Sequence, residues 1–237
     1  MNNHQLENEE DILGNFFDED KHPAAKHTPK TKTDAVTVRR LYFLGRVISK
    51  LFQENEIPYW VTGGTLLGCV RHKGLIPWDD DIDISIMEIN EGKLLQIRDI
   101  LHNNGLVLME SFFGYRLFHE NESRRTEASN FGLPCCDITI MRHNRKNGRI
   151  ELKHESARDL WQKEFYEQEE VSSFKEMLFG DFNFTVPIDP LGYLFRFYGD
   201  DCLNVGRTQD FDHETRLNVR SVVIDTSRGF EPARPFR

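Results

Sequence analysis

The feature that most constrains the fold is a run in which aspartates alternate with isoleucines. It reads Asp81-Ile82-Asp83-Ile84-Ser85-Ile86. Successive side chains of a β-strand point to opposite faces of a sheet, so the run predicts a strand whose isoleucines face the core. Asp81 and Asp83 then share the other face. An acidic run is most often a solvated surface, but Trp78 and the isoleucines indicate that this one lies at the edge of a core.

Two more aspartates precede the strand. Asp79 continues the acidic row if the chain stays extended, whereas Asp80 is expected to point away. Carboxylates about 5 Å apart repel by roughly 3 kcal/mol per pair at an effective dielectric of about 20, and a cation removes this cost. Hard oxygen ligands suit Mg²⁺ or Mn²⁺. The run therefore predicts a metal site. Asp137, in the alternating stretch Cys136-Asp137-Ile138-Thr139-Ile140, offers a further carboxylate from a neighbouring strand.

A glycine turn lies upstream of the acids. Gly63, Gly64 and Thr65 follow a short aromatic and β-branched segment and open a predicted helix, with Thr65 as its capping residue. Such a turn can present backbone N–H groups and a positive helix end to a phosphate. Gly-Gly more often simply makes a turn, so the pattern alone leaves both readings open.

A basic cluster ends the same predicted helix. Arg71 and Lys73 could neutralise phosphate oxygens, or they could form an ordinary solvated helix end. His72 could act as an acid or base, and a packing or hydrogen-bonding role is at least as common for a histidine in such a place.

Hydrophobic periodicity and turn residues predict alternating helices and strands. Asp34 or Thr37 caps the first helix, Asn90 and Asp189 cap later ones, and Asn147-Gly148 predicts a hairpin. The predicted helices cover residues 38–52, 66–72, 90–103 and 189–198, and the predicted strands cover 59–61, 81–87, 106–109, 113–118, 135–141, 149–153 and 182–186.

The order of these parts is that of the nucleotidyltransferase fold: Gly-Gly, a helix, Asp-x-Asp on a strand, and one Asp on a later strand. The stretch from Trp60 to Asp83, WVTGGTLLGCVRHKGLIPWDDDID, closely resembles the LicD family of bacterial phosphocholine transferases and fukutin-related glycan-modifying enzymes. The resemblance extends through residues 134–139 and 179–200 and covers roughly residues 38–205. It implies an α+β fold with helices packed on a central mixed sheet.

The resemblance also implies a reaction. Such enzymes move a phospho-alcohol group, phosphocholine-like or a polyol phosphate, from a CDP-linked donor to a sugar hydroxyl of a glycan or glycolipid. Mg²⁺ or Mn²⁺ would be the cofactor, and Asp137 would also be a candidate to take the acceptor's proton. Carried onto this sequence, the catalytic residues are Asp81, Asp83 and Asp137, the metal ligands are these three with Asp79, and the substrate-binding residues are Gly63, Gly64, Thr65, Arg71, His72, Lys73 and Trp78.

Composition limits the cellular setting. The net charge is −9, but residues 1–20 hold seven acids and no Lys or Arg, and subtracting these seven charges leaves −2 for the remainder. Without a basic stripe, nucleic acid is not an expected partner. Four cysteines without a CxxC pair argue against zinc or a disulfide framework. No apolar run reaches the ~20 residues of a membrane span. These features predict a soluble cytoplasmic enzyme, with at most peripheral contact to a glycolipid acceptor.

We divide the chain into a disordered acidic and polar tail (1–33), the LicD-like catalytic domain (34–205) and an irregular Arg-rich C-terminal tail (206–237). Two alternatives remain at this point. One is an ordinary nucleotidyltransferase acting on a small molecule, a protein or nucleic acid. The other is a non-catalytic relative that binds a nucleotide or metal.

Overall fold

A computed structural model describes residues 31–237, apart from 122, 126–130, 210, 213–216 and 227–228. The predicted disorder of residues 1–33 thus falls almost wholly outside the described residues. The helices are α1 (Ala35–Glu54), α2 (Gly63–Leu67), α3 (Glu91–Gln96), α4 (Arg98–Asn103), α5 (Glu155–Leu160) and α6 (Pro190–Tyr198). A π-helical turn, Gly68–His72, extends α2, and a 3₁₀ turn, Glu88–Asn90, precedes α3.

One large sheet dominates the β-structure of the described residues. The strands are β1 (Trp60–Val61), β2 (Asp81–Met87), β3 (Leu106–Ser111), β4 (Gly114–His119), β5 (Arg124–Arg125), β6 (Gly132–Leu133), β7 (Cys135–Asn144), β8 (Arg149–Leu152), β9 (Phe165–Tyr166), β10 (Phe174–Phe179), β11 (Phe182–Pro187), β12 (Gly206–Arg207), β13 (Phe211–Asp212), β14 (Leu217–Asn218) and β15 (Val223–Ile224). Seven of them form a sheet in the order β1-β2-β7-β4-β3, with β8 paired to β7 and β9 to β8. Only β2 and β7 run parallel within it. The predicted α+β fold with a central mixed sheet is confirmed.

The core lies between this sheet and the helices. Ile82, Ile84 and Ile86 of β2 are completely buried, as the alternation predicted. Helix α1 packs on β2 and β7 through an apolar stripe that includes Leu41 and Ile48. Burial of such side chains stabilises the fold by about 1.5–3 kcal/mol each. The sheet therefore has one apolar face fixed against helices, which leaves the other side of β2 to its acids.

Three helix predictions can be compared in detail. The first helix is confirmed, and Asp34 caps it by accepting from the backbone N–H groups of Val36 and Thr37 at 2.9 and 3.0 Å. The second begins at Gly63, so Thr65 does not cap it as predicted. The predicted continuous helix after Asn90 is wrong, because the chain breaks between α3 and α4 at Ile97, whose φ and ψ of −90° and 10° are not helical.

Of the strands that form hairpins, β7 and β8 were predicted together with their turn, whereas β10 was missed. The Asn147-Gly148 hairpin between β7 and β8 is confirmed, with Gly148 at a φ of +77°. Strand β10 was not predicted, because its first three residues are exposed and only Phe179 at its end is buried, so it has no regular apolar alternation.

The C-terminal stretch packs onto the core. The Ala233 N–H donates to the carbonyl of Leu75 at 2.8 Å, and the Tyr42 hydroxyl donates to the carbonyl of Ala233 at 3.0 Å. All four cysteines are buried free thiols, in agreement with the absence of a disulfide framework. Among the described residues, the helices are too short or too polar to cross a bilayer.

Candidate active site

The site is a cavity of about 600 Å³ at the acidic side of β2. Asp79, Asp81, Asp83 and Asp137 all line it, together with Gly63 and other residues of the glycine turn. The register explains this gathering, because Asp83 of β2 pairs with Asp137 of the parallel strand β7. The sequence therefore predicted the acids that face one space, including the one from a distant strand.

The tightest group of acids is Asp79, Asp80 and Asp81, which we call the acidic cluster. Each offers a carboxylate oxygen within 4.8 Å of the others, and all three residues are buried. Asp80 does not line the cavity, in keeping with the expectation that it points away, although one of its oxygens stays close to those of Asp79 and Asp81. Asp83 and Asp137 adjoin this cluster in the cavity but are not part of it.

The acidic cluster has the ligand chemistry that a divalent cation requires. Three buried carboxylates in close contact repel one another strongly in a low dielectric. An ion with a preference for oxygen ligands removes that repulsion, and Mg²⁺ or Mn²⁺ is of this type. The donor set contains oxygen only, so it fits these ions better than zinc.

The backbone of the glycine turn lies close to the side chain of Asp83. Gly63 has a φ of +52°, and a Cβ atom there would lie 2.6 Å from Asp83 Oδ2. The N–H of Gly64 donates to the same oxygen at 3.1 Å. Thr65 does not line the cavity; its hydroxyl accepts from the Asp83 N–H at 2.8 Å and thereby fixes the start of β2 against α2. In this structure the turn positions Asp83, and the predicted cradling of a diphosphate stays a prediction.

Asp137 is held by an arginine that the sequence analysis missed. Arg116 of β4 lies opposite Asp137 in the antiparallel register. Its Nε and Nη2 donate to the two carboxylate oxygens at 2.6 and 2.8 Å. The guanidinium also lies 3.6 Å from the ring centroid of Phe131. A proton transfer to Asp137 must compete with both of these bonds, which weakens its case as the proton acceptor.

The three residues of the predicted basic cluster, Arg71, His72 and Lys73, do not all reach the cavity. Arg71 lines the cavity, where its Nη1 donates to the carbonyls of Cys202 and Val205 at 2.6 and 3.1 Å. Burial lowers its pKa to about 10, so it remains protonated at neutral pH. Lys73 does not line the cavity, and its ammonium donates to the carbonyl of Val70 at 2.9 Å. Only the arginine is available to face a substrate there.

His72 is also outside the cavity lining. It is buried, with its ring edge-on to Trp78 and Phe230, and its Nδ1 accepts from the Nε of Arg71. Burial, and then the charge of Arg71, lower its pKa to about 3. The packing reading of His72 fits these contacts better than acid–base work. Trp78 does line the cavity and donates from Nε1 to the carbonyl of Arg207 at 2.7 Å.

The C-terminal stretch supplies one wall. Thr208, Gln209 and Ser221 line the cavity. Gln209 donates from Nε2 to Oδ1 of Asp79 at 2.6 Å, across 130 positions of sequence. No short motif marks this glutamine, and only the folded chain brings it to the acids.

A fifth acid of the cavity was also missed. Glu164, between α5 and β9, is buried and lines the same space. Its Oε1 accepts from the Thr62 hydroxyl at 2.9 Å, and its Oε2 accepts from the Tyr193 hydroxyl at 2.6 Å. The Tyr193 oxygen in turn accepts from the Gly63 N–H at 3.2 Å. Burial raises the pKa of Glu164, and the hydroxyl donors oppose this shift.

Comparisons with known proteins agree with this architecture. The family described as LicD/FKTN/FKRP, nucleotidyltransferase domain, matches residues 56–189, which is more than half of the chain. An uncharacterized protein of Rickettsia typhi is 33% identical over 200 residues, covering 83% of this chain and 59% of the relative. The chain thus spans somewhat more than half the length of that relative.

Two relatives with named activities match over shorter segments. The lipopolysaccharide cholinephosphotransferase LicD of Haemophilus influenzae is 59% identical over 34 residues, 14% of this chain and 13% of that protein. The ribitol 5-phosphate transferase FKRP of Mus musculus is 35% identical over 66 residues, 28% of this chain and 13% of that protein.

Among solved structures, a complex of ANT(2")-Ia with adenylyl-2"-tobramycin is similar at 15% identity. The match has a TM-score of 0.38 and covers 61% of this chain and 68% of the other. The family match spans the glycine turn, the acidic cluster and Asp137, the parts that build the cavity. The chain therefore belongs to the LicD/FKTN/FKRP family and carries its nucleotidyltransferase domain.

Proposed function

We propose that the protein moves a phospho-alcohol group from a CDP-linked donor to a hydroxyl of a glycan or glycolipid, with release of CMP. The observation that carries this proposal is the buried acidic cluster beside the glycine turn, two of whose residues, Asp79 and Asp81, line a cavity of about 600 Å³. Membership of the family supports it, as do the names of two relatives, a cholinephosphotransferase and a ribitol 5-phosphate transferase.

Mg²⁺ or Mn²⁺ is the proposed cofactor. Asp79, Asp81 and Asp83 would hold it, with Asp137 completing the acidic edge. When bound, such an ion neutralises the negative charge of a diphosphate and of the departing phosphate. Asp80 joins the proposed ligands because its carboxylate lies within the acidic cluster.

The chain's own residues would bind and orient the donor. Arg71 contributes a half-buried positive charge at the wall of the cavity, where its Nη1 donates to two backbone carbonyls. Such a charge attracts phosphate oxygens. The Gly63-Gly64 turn keeps Asp83 in place, since Gly64 donates to its carboxylate. The aromatic residues Phe112 and Trp161 close another side and exclude water.

A donor panel tests the reaction. Wild-type protein is incubated with CDP-choline, CDP-ribitol and CDP-glycerol, each with a glycan acceptor and Mg²⁺ or Mn²⁺, and the products are identified by mass spectrometry. We expect CMP release and an acceptor heavier by one phospho-alcohol group with one of the donors. Incorporation of a nucleotide from labelled NTPs would instead favour an ordinary nucleotidyltransferase.

Site variants complete that test. Asp83→Asn keeps the shape and removes one charge, and we expect at least about 100-fold lower transfer with weaker metal binding by calorimetry. Asp99→Asn is the matched control, because Asp99 is exposed on α4 and does not line the cavity. If Asp83→Asn binds metal and turns over substrate as well as wild type does, the assignment of the metal site is wrong. If the wild-type protein binds metal and donor without turnover, the non-catalytic alternative is favoured.

A further inference from the structure

Glu164 has the surroundings of a proton acceptor and no part in the metal site. The residue lines the cavity and is only 8% exposed. Its carboxylate accepts hydrogen bonds from two hydroxyl groups, those of Thr62 and Tyr193. Among the described residues, no Lys, Arg or His forms an ion pair with it. A carboxylate held only by neutral donors keeps more affinity for a proton than one held by a cation.

Asp137 shows the opposite arrangement in the same cavity. Both of its oxygens accept from the Arg116 guanidinium, at 2.6 and 2.8 Å. A proton arriving at Asp137 would have to displace a charge-assisted, bidentate pair, which is among the stronger interactions of side chains. Of these two cavity carboxylates, Glu164 is the one to which a proton can be added without breaking an ion pair.

Glu164 is also close to the acids through short contacts. Its Oε2 accepts from Tyr193, whose oxygen accepts from the Gly63 N–H. The Cβ position of Gly63 is 2.6 Å from Asp83 Oδ2. One residue of the glycine turn therefore separates the Tyr193–Glu164 pair from a proposed metal ligand. Glu164 and Asp83 line the same cavity, so a hydroxyl group bound there is accessible to both residues.

We infer that Glu164 is the catalytic base that takes the proton from the acceptor hydroxyl, an inference that rests on the proposed function. The acceptor oxygen gives its proton to the Glu164 carboxylate and uses its lone pair to form a bond to the phosphorus of the donor's phospho-alcohol group. The bond from that phosphorus to the bridging oxygen breaks, and its electron pair leaves with CMP. The proton on Glu164 then passes to solvent, which restores the carboxylate.

The groups around Glu164 set the sign of its pH dependence. Tyr193, Arg196 and Tyr198 of α6 and Tyr166 of β9 are the titratable or charged groups near it, while Thr62 adds only a hydroxyl. Burial, the largest influence, raises its pKa. A base must be ionised, so activity should fall as the pH drops through that pKa, at a higher pH than for an exposed glutamate.

The test compares Glu164→Gln with wild type under the donor and metal that support transfer. We expect kcat for transfer to fall at least about 100-fold, the acidic limb of the kcat/KM profile to disappear, and donor and Mg²⁺ affinity by calorimetry to change less than threefold. Glu164→Asp should restore part of kcat together with the acidic limb. Glu151→Gln, a buried glutamate on β8 held by Arg142, is the control and should keep both rate and limb.

The outcomes separate this inference from the proposed function. Absence of transfer by wild type with every donor would overturn the function itself. Transfer by wild type together with an unchanged rate and acidic limb in Glu164→Gln would overturn only the role of Glu164. If Glu164→Gln does not fold, Tyr193→Phe serves instead: loss of one hydroxyl donor should move the acidic limb to higher pH, and an unmoved limb would contradict the inference.

Discussion

A Cβ atom on Gly64 would lie 2.5 Å from Oδ2 of Asp79. This approach is too close for any side chain, so the carboxylate must turn away if the glycine is replaced. The end of an aspartate side chain can move without disturbing the backbone, and the fold should tolerate the change. The site should not, because Asp79 would leave the position in which it meets the rest of the acidic cluster.

Gly64→Ala should therefore weaken metal binding while leaving the stability of the fold nearly unchanged. We expect Mg²⁺ affinity, measured by calorimetry, to fall by at least about tenfold, while the midpoint of thermal unfolding changes by only a few degrees. Gly92→Ala in α3 is the control, because no atom lies within 4 Å of its Cβ position. That variant should keep its metal affinity and gain up to about 1 kcal/mol of stability. Equal metal affinity in Gly64→Ala and wild type would contradict this account.

The Arg116–Asp137 ion pair should contribute strongly to stability. Its side chains are 10% and 16% exposed, so Arg116→Met leaves a carboxylate largely buried without its cation. We expect the free energy of unfolding, from urea titration, to fall by about 3 kcal/mol. The loss should be much smaller when Asp137→Asn is already present, because the two residues are coupled. An equal loss in both backgrounds would mean that the pair itself is not responsible.

An exposed pair provides the comparison. Lys50 and Glu54 on α1 are 3.8 Å apart, and both side chains are more than half exposed. Solvent screens such a pair, so Lys50→Met should leave the urea midpoint unchanged.

His72 should make stability depend on pH. The pKa of the folded protein's imidazole is lowered to about 3, whereas an unfolded chain binds the proton near 6.5. Between these values the unfolded state carries more protons, so the free energy of unfolding falls as the pH drops below about 6.5, by up to roughly 1.4 kcal/mol per pH unit. Urea titrations at pH 7.5, 6 and 5 measure this slope.

His72→Asn should reduce that slope and retain an acceptor for Arg71. His102→Asn, on the exposed side of α4, is the control and should leave it unchanged. If the slopes of wild type and His72→Asn coincide, His72 does not govern the acid response.

A substitution at Gln209 should change how strongly a metal ion stabilises the acidic cluster. Its amide donates to Asp79 at 2.6 Å, so Gln209→Glu places another carboxylate against the acids. Repulsion should lower the thermal midpoint without metal, and saturating Mg²⁺ should raise it by more than in wild type, since the ion stabilises the folded state that binds it. Gln162→Glu, at an exposed site, is the control. The same Mg²⁺ increment in all three proteins would show that Gln209 does not influence the ion.

The alternation of apolar and acidic residues was sufficient to predict the part of the site that lies on strands. Alternation placed Asp81 and Asp83 on one face, and the same rule applied to a distant stretch brought in Asp137. It did not reveal that Asp80, which precedes β2 and does not line the cavity, still brings an oxygen close to those of Asp79 and Asp81. Proximity along the chain also misled for His72 and Lys73, since neither lines the cavity although their neighbour Arg71 does.

The missed residues depend on tertiary contacts. Arg116 is explained by the β4–β7 register, which no pattern within β4 reveals. Glu164 and Gln209 come from irregular segments whose sequence has no period, and each is identified only by what its side chain contacts.

The wall formed by the C-terminal stretch has a practical consequence for dissecting this protein. The segment shared with the family ends at residue 189, yet Tyr193, Gln209 and Ala233 all make contacts with its glycine turn, its acids or its backbone. A fragment cut to the shared segment would also lose α1 and the apolar stripe under the sheet. The smallest unit that can fold and bind is thus larger than the inherited motif, and sequence change outside that motif can reshape the cavity while the acids stay in place.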